Sequence, residues 1–259
     1  MHGLTRDKKE SIDFVNIVAN YDICFLYETW CNSQSDIELN GYLSHNLYRK
    51  YQHRKSKRNS GGIAIYYKEH LKDAIEIIKN HHNTIIWLKL DHNFFNVDQD
   101  IYICGSYIWG NDSPMYTHFN VDLFDVLEND ISCYNNLGSV YIFGDFNSRV
   151  GHKSDFIVHD VINNCTDDID YDPDSTLTRA SSDNTHNSHG LKLLDLCKAT
   201  GMRIVNGRLS NTHHYTFLST SGCSVIDYLI TDSCNFKQWT VPQLSIMIIY
   251  NCIWSIFIQ

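Results

Sequence analysis

Apolar and polar positions alternate along this chain with two different periods. In residues 7–20, Ile12, Val15, Val18 and Ala19 fall on one face of a predicted helix that feeds directly into an apolar run. Residues 61–67 and 85–90 are short apolar or alternating runs separated by polar stretches, the pattern of hairpins. Phe119, Leu123, Leu127 and Ile131, spaced by four, predict a surface helix over residues 119–137. A shorter helix over 190–200 ends where Gly201 supplies a C-terminal stop. Residues 213–218 read as a strand preceding another over 224–230. Residues 152–189 are rich in Ser, Asp and Asn and lack apolar periodicity, the mark of a long functional or mobile loop. No repeat is visible and strands and helices do not alternate as strict βαβ units. The expectation is an α/β (α+β) chain of two packed sheets flanked by helices.

Several apolar runs end in chemistry. The run 139–143 closes on Gly144-Asp145-Phe146-Asn147. Side chains two apart on an extended backbone point the same way, so Asp145 and Asn147 can reach one site at the strand's exit. An Asp supplies oxygen to a hard divalent cation, and an Asn can orient a phosphate or a water. The same four residues also suit a plain turn closing a strand. The run 22–30 repeats the arrangement with Glu28, the run 101–107 ends in Tyr107, and the run 224–230 carries Asp227 within it. A carboxylate inside an apolar strand is costly unless paired, hydrogen-bonded or metal-bound. Polar groups recurring at strand ends suggest one site at one sheet edge.

Size and composition narrow the class. The 259 residues, 43% hydrophobic with only 3 prolines, fit one large domain with a substantial core. Nine cysteines without a C-x-x-C pair or zinc spacing read as reduced, buried thiols, and residues 1–11 are too polar for a cleavable signal. Both features imply an intracellular protein. A net charge of −9 sits awkwardly with nucleic-acid binding, yet Arg49, Lys50, Arg54, Lys55, Lys57 and Arg58 cluster among Tyr48, Tyr51 and His53. That segment is either a phosphate-backbone contact or a solvated loop.

In this order the segments resemble the endonuclease/exonuclease/phosphatase superfamily, and most closely the apurinic-like endonuclease domains of non-LTR (LINE-type) retrotransposons. The carriers are the Glu28-Thr29-Trp30 segment, Gly61-Gly62-Ile63-Ala64-Ile65-Tyr66-Tyr67, Tyr107, Gly144-Asp145-Phe146-Asn147 and Ile226-Asp227-Tyr228. Residues 187–197 and 204–208 also look like the retrotransposon branch. The resemblance covers roughly residues 1–245. It implies a four-layer αββα sandwich and Mg²⁺- (or Mn²⁺-) dependent nicking of DNA, in the nucleus, with no membrane or obligate protein partner. By that resemblance Glu28 holds the metal, Asp145 and Asn147 place nucleophile and phosphate, Tyr107 meets the phosphate or leaving group, and Asp227 buttresses a histidine.

Two departures stand against full activity. The resemblance calls for Trp-Asn-x-x-Gly-Leu at the start, where this chain reads Met1-His2-Gly3-Leu4. It calls for Ser-Asp-His after the Ile-Asp-Tyr strand, where this chain reads Leu244-Ser245-Ile246-Met247. The expectation is a domain over 1–245, incomplete at its sheet edges, with an aberrant apolar tail over 246–259 too short for a membrane span. A weakened nuclease follows. The alternatives are a non-catalytic remnant that binds nucleic acid, and a phosphatase acting on inositol phosphates or lipids. No Gly-x-Ser-x-Gly elbow is present to support a serine hydrolase.

Overall fold

The protein is described here by a computed structural model covering residues 3–51, 59–157, 179–208, 215–220, 222–232, 235, 244–249 and 253–258. In chain order the elements are α1 (Arg6–Glu10), α2 (Ile12–Ala19), β1 (Ile23–Tyr27), β2 (Tyr42–Leu47), β3 (Ile63–Lys68), β4 (Ile75–His81) and β5 (Ile85–Leu90). There follow α3 (His92–Phe95), β6 (Asp100–Tyr107), α4 (Pro114–Phe119), α5 (Leu123–Tyr134), β7 (Gly138–Asp145) and α6 (Ser188–Thr200). The remainder are β8 (Met202–Ile204), β9 (Phe217–Ser219), β10 (Gly222–Ser224), β11 (Asp227–Asp232), β12 (Leu244–Ile249) and β13 (Ile253–Ile258). Two compact units result, one from residues 1–108 and 239–259, the other from 109–238.

In the first unit the sheet order is β13-β12-β1-β3-β2, with β1 parallel to β12 and antiparallel to β3. The backbone of residues 244–249 thus runs beside β1. Strand β1 is buried on both faces. Cys24 and Leu26 point to a cluster with Ala64, Tyr66, Phe14 and Val18. Phe25 and Tyr27 point the other way: a Cβ placed on Gly105 of β6 would lie 2.7 Å from Phe25 Cδ1 and 3.0 Å from the Tyr27 hydroxyl. The β4-β5-β6 antiparallel sheet therefore packs face to face on the β1 sheet, with helix α2 behind.

The expected N-terminal helix differs from the observed one. Ser11 takes an extended conformation, accepts from Phe14 N at 3.3 Å and donates to Lys8 O at 2.9 Å, so one predicted helix becomes two. The buried face is Phe14 and Val18, whereas Ile12 is 74% exposed and Val15 39%. Burying Phe14 and Val18 contributes about 1.5–3 kcal/mol each.

In the second unit β7, β11 and β8 form an antiparallel ladder. Helix α5 packs on β7 and α6, and α6 on β8. The predicted 119–137 helix is α5 alone, because Asn120 turns left-handed after α4 and Asp122 caps the new start. Its Leu123, Leu127 and Ile131 are fully buried. Helix α6 ends, as expected, on Gly201 at φ 74°. The six described cysteines are free thiols. No helix among the described residues is long and apolar enough to cross a membrane.

Candidate active site

The first unit builds the surroundings of Glu28. Beyond β1 the chain turns with Glu28 at φ 57° and Trp30 at φ 54°. A non-glycine residue there costs roughly 1–2 kcal/mol, so the turn persists only because its surroundings hold it. Gly3 N donates to Glu28 O at 2.9 Å and Leu4 N to Thr29 O at 2.7 Å. From the other side Trp30 N donates to Gly61 O at 2.9 Å. The approach needs glycine: a Cβ on Gly62, at φ 92°, would lie 2.7 Å from Thr29 Oγ1.

The Glu28 carboxylate is thereby fixed. Its Oε2 accepts from Trp30 Nε1 at 2.5 Å and from Gly61 N at 3.4 Å, and its Oε1 accepts from the Tyr107 hydroxyl. Tyr107 closes β6, where its backbone N donates to Thr84 O at 2.7 Å. The structure brings Glu28 and Tyr107 together, and adds Trp30, whose only sequence signal was its place in Glu-Thr-Trp. Arg49 borders this group. A methyl on Gly61 would lie 3.5 Å from Arg49 Nε and 3.5 Å from Tyr107 Cε1, and Arg49 Nη1 donates to Ser60 Oγ at 3.0 Å. Lys50 is exposed, and Arg54, Lys55, Lys57 and Arg58 lie outside the described residues.

The second unit builds a carboxylate pair. Asp145 ends β7, fully buried, and Asn147 at φ 48° folds back on it. Asp145 Oδ1 accepts from Asn147 N at 2.8 Å and Oδ2 from Asn147 Nδ2 at 3.4 Å. Asp227 stands directly opposite Asp145 in the β7–β11 register and is 6% exposed. It is the first residue of β11 and not interior to a strand as expected: Ser224 ends the β9–β10 hairpin, and Thr216 Oγ1 caps the intervening turn by accepting from Ile226 N and Asp227 N. Asp227 Oδ1 has no hydrogen-bond partner. Burial first, and the Asp145 charge second, push its carboxyl well above the ordinary range. Two carboxylates so placed repel unless a proton or a cation comes between them.

No individual role for the residues that frame these acids is legible in the sequence. Asn206 Nδ2 donates to Asp227 O at 3.1 Å while its Oδ1 accepts from Leu229 N at 2.9 Å, fixing the start of β11. Arg149 Nε and Nη2 clasp Asp183 at 2.8 and 2.7 Å, and Asp183 also accepts from Val225 N at 3.1 Å. Burial works to raise the Asp183 carboxyl, but the Arg149 hydrogen bond and the backbone donors outweigh it and hold it below the ordinary range. Deeper still, Arg208 and Asp155 form a bidentate pair at 2.7 Å with both side chains 1% exposed.

One further group of possible cation ligands is Asp91, His92 and Asp100, whose ligand atoms lie within 4.8 Å of one another. Three of its four carboxylate oxygens already accept hydrogen bonds or pair with a cation. Asp100 takes His92 Nδ1 at 2.8 Å and Lys89 Nζ at 2.8 Å, and Asp91 caps α3 by accepting from Phe94 N. It is a helix cap joined to an ion pair, with Lys89 as its cation.

A profile of the Endonuclease/Exonuclease/phosphatase family matches residues 2–244. Among solved structures, the 3'-5' exonuclease (NExo) from Neisseria meningitidis is similar with a TM-score of 0.52 at 13% identity, covering 90% of this chain and 85% of that one. The endonuclease domain of TRAS1, a telomere-specific non-LTR retrotransposon, gives 0.48 at 13% identity, covering 90% and 83%. The catalytic domain of human Nocturnin with bound sulfate gives 0.49 at 12%, covering 89% and 76%. No curated protein sequence matches. At such identities the likeness to the exonuclease is one of fold, and the fold class is the α/β sandwich that the strand pattern predicted.

Proposed function

Because this chain belongs to the endonuclease/exonuclease/phosphatase family, we propose that it is a divalent-metal-dependent phosphodiester hydrolase that nicks DNA in the manner of retrotransposon endonucleases. The observation that carries this is the Asp145–Asp227 pair beside the Asn147 turn. Two buried acids facing each other, one with an unpartnered oxygen, are poorly explained by stability and well explained by charge that arrives with a substrate or a cation.

The acids suit a hard cation: Glu28 in the first unit, and Asp145 and Asp227 in the second, each offer carboxylate oxygen, as Mg²⁺ or Mn²⁺ requires. Glu28 is the residue that would hold the ion, which when bound supplies charge neutralisation at phosphoryl oxygens. Tyr107 orients the Glu28 carboxylate through its hydroxyl and offers that proton donor to a phosphate oxygen or a leaving oxygen. Asp145 orients the Asn147 amide, and Asp145 in its ionised form accepts a proton from the attacking water. Asp227 needs a group to accept from. Among the described residues no histidine donates to its Oδ1, and a reaction run without one is slow: general acid–base assistance of this kind is worth about 10²–10⁴ in rate. The preference for DNA, and the nuclear location that it implies, rest on the retrotransposon-like residues 187–197 and 204–208 and on the Arg49–Arg58 cluster.

The test is relaxation of supercoiled plasmid with Mg²⁺, Mn²⁺ or EDTA, comparing the wild type with Glu28→Gln and Asp145→Asn. Metal-dependent nicking that both substitutions abolish is expected. Release of phosphate from inositol phosphates with no nicking would transfer the assignment to the phosphatase branch, and DNA binding with no hydrolysis would leave a binding module.

A further inference from the structure

The turn that carries Asn147 is mounted on the first residues of α6. The Asn187 side chain caps that helix by accepting from Gly190 N at 2.7 Å, and the same oxygen accepts from Arg149 N at 2.9 Å. Its amide nitrogen donates to Asn147 O at 3.0 Å, and its backbone N donates to Arg149 O at 3.0 Å. Val150 and His186 add an isolated bridge. The helix and turn approach so closely that a Cβ on Gly190 would lie 1.8 Å from Arg149 O. An ordinary N-cap needs only the oxygen bond to the helix amide. Here the cap residue also satisfies backbone groups on both sides of Ser148, and only glycine at 190 permits it.

We propose that Asn187 is a positioning residue for the reaction: its amide sets the left-handed conformation of Asn147, and through it the relation of the Asn147 side chain to Asp145. This rests on reading Asp145 and Asn147 as the reacting pair. Asn187 touches neither carboxylate and acts through the backbone of Asn147. The Arg149–Asp183–Val225 link continues the same frame to the strand that begins at Asp227.

Asn187→Asp separates capping from positioning. The aspartate keeps an acceptor for Gly190 N and Arg149 N, but replaces the amide hydrogen given to Asn147 O with an oxygen. The expected result is a thermal midpoint close to wild type, with amide hydrogen exchange at residues 146–149 several-fold faster and exchange elsewhere in α6 unchanged. In the nicking assay kcat falls about 10- to 100-fold, as for a displaced reacting group, while KM holds. The Asn147→Ala, Asn187→Asp double variant is no slower than Asn147→Ala alone. Unchanged exchange at 146–149 would overturn the proposal, as would looser exchange with unchanged kcat. If the wild type does not cleave DNA, that failure belongs to the functional reading. The exchange experiment then still decides whether Asn187 holds the turn.

Discussion

Asp145 and Asp227 are Cα partners across the β7–β11 ladder, and the Asp227 carboxyl keeps one oxygen without a hydrogen bond. Burial and then the Asp145 charge raise the Asp227 carboxyl above its ordinary value, so the folded state binds its proton more tightly than the unfolded chain does. The penalty is present at neutral pH and is relieved as pH falls towards the unfolded carboxyl value near ~3.9. Asp227→Asn removes a buried charge facing Asp145 and should therefore stabilise the fold by about 1–3 kcal/mol at pH 7, while lowering any nicking activity. Melting curves from pH 4 to 8 check it: the gap between variant and wild type should shrink on the acid side.

Tyr107 holds Glu28 rather than standing beside it. Tyr107→Phe should leave the fold intact and weaken Mn²⁺ affinity about 10- to 100-fold, the usual loss when a group orienting a metal ligand is removed. Calorimetric titration with Mn²⁺ measures this directly. Equal affinities in the two proteins would show that the ion binds away from Glu28.

The Arg208–Asp155 pair is structural and deeply buried. Burial opposes the ionised Asp155, but Arg208 and the Ile204 amide outweigh it and hold the carboxyl below the ordinary range. Arg208→Met, which strands the carboxylate, should cost about 3–5 kcal/mol in urea unfolding. The double change Arg208→Met, Asp155→Leu should recover most of that loss.

His189 sits in α6, 3% exposed, edge-on to Tyr116 and Phe124, with its Nδ1 unpartnered. Burial first and Lys192 second lower its pKa, against the opposing pull of Asp122 and Asp112. A depressed imidazole contributes stability above the unfolded value of ~6.5, and that stability is lost as pH falls through the folded value. His189→Leu should flatten the thermal midpoint between pH 7 and pH 5 relative to wild type. Parallel curves would place the acid sensitivity elsewhere.

Neutralising Arg54, Lys55, Lys57 and Arg58 together should flatten the salt dependence of DNA binding equally for all sequences, as backbone contacts do. An unchanged slope in fluorescence anisotropy would leave the segment a solvated loop.

What the sequence by itself determined were the strands and the residues at their ends. Continuous apolar runs specify buried strands whatever surrounds them. A polar residue closing such a run, as with Glu28, Tyr107 and Asp145, is marked by its cost alone. Period-four spacing sufficed for Leu123, Leu127 and Ile131, and Gly201 for the end of α6. Tertiary structure decided the rest. Ser11 split one helix into two because its hydroxyl capped Phe14, a local competition that periodicity does not register. The buried face then fell on Phe14 and Val18, because the β1–β3 sheet offered Cys24, Leu26, Ala64 and Tyr66 to pack against. The partners of Glu28 came from residues 30, 61 and 107, and the frame around Asn147 from residues 149, 183 and 187. Most of these hydrogen bonds join residues far apart in the chain and leave no pattern in it, because side chains of these types are ordinary on any surface. Only the close approach of backbones, which Gly62 permits in the first unit and Gly190 in the second by lacking a Cβ, brings each set together.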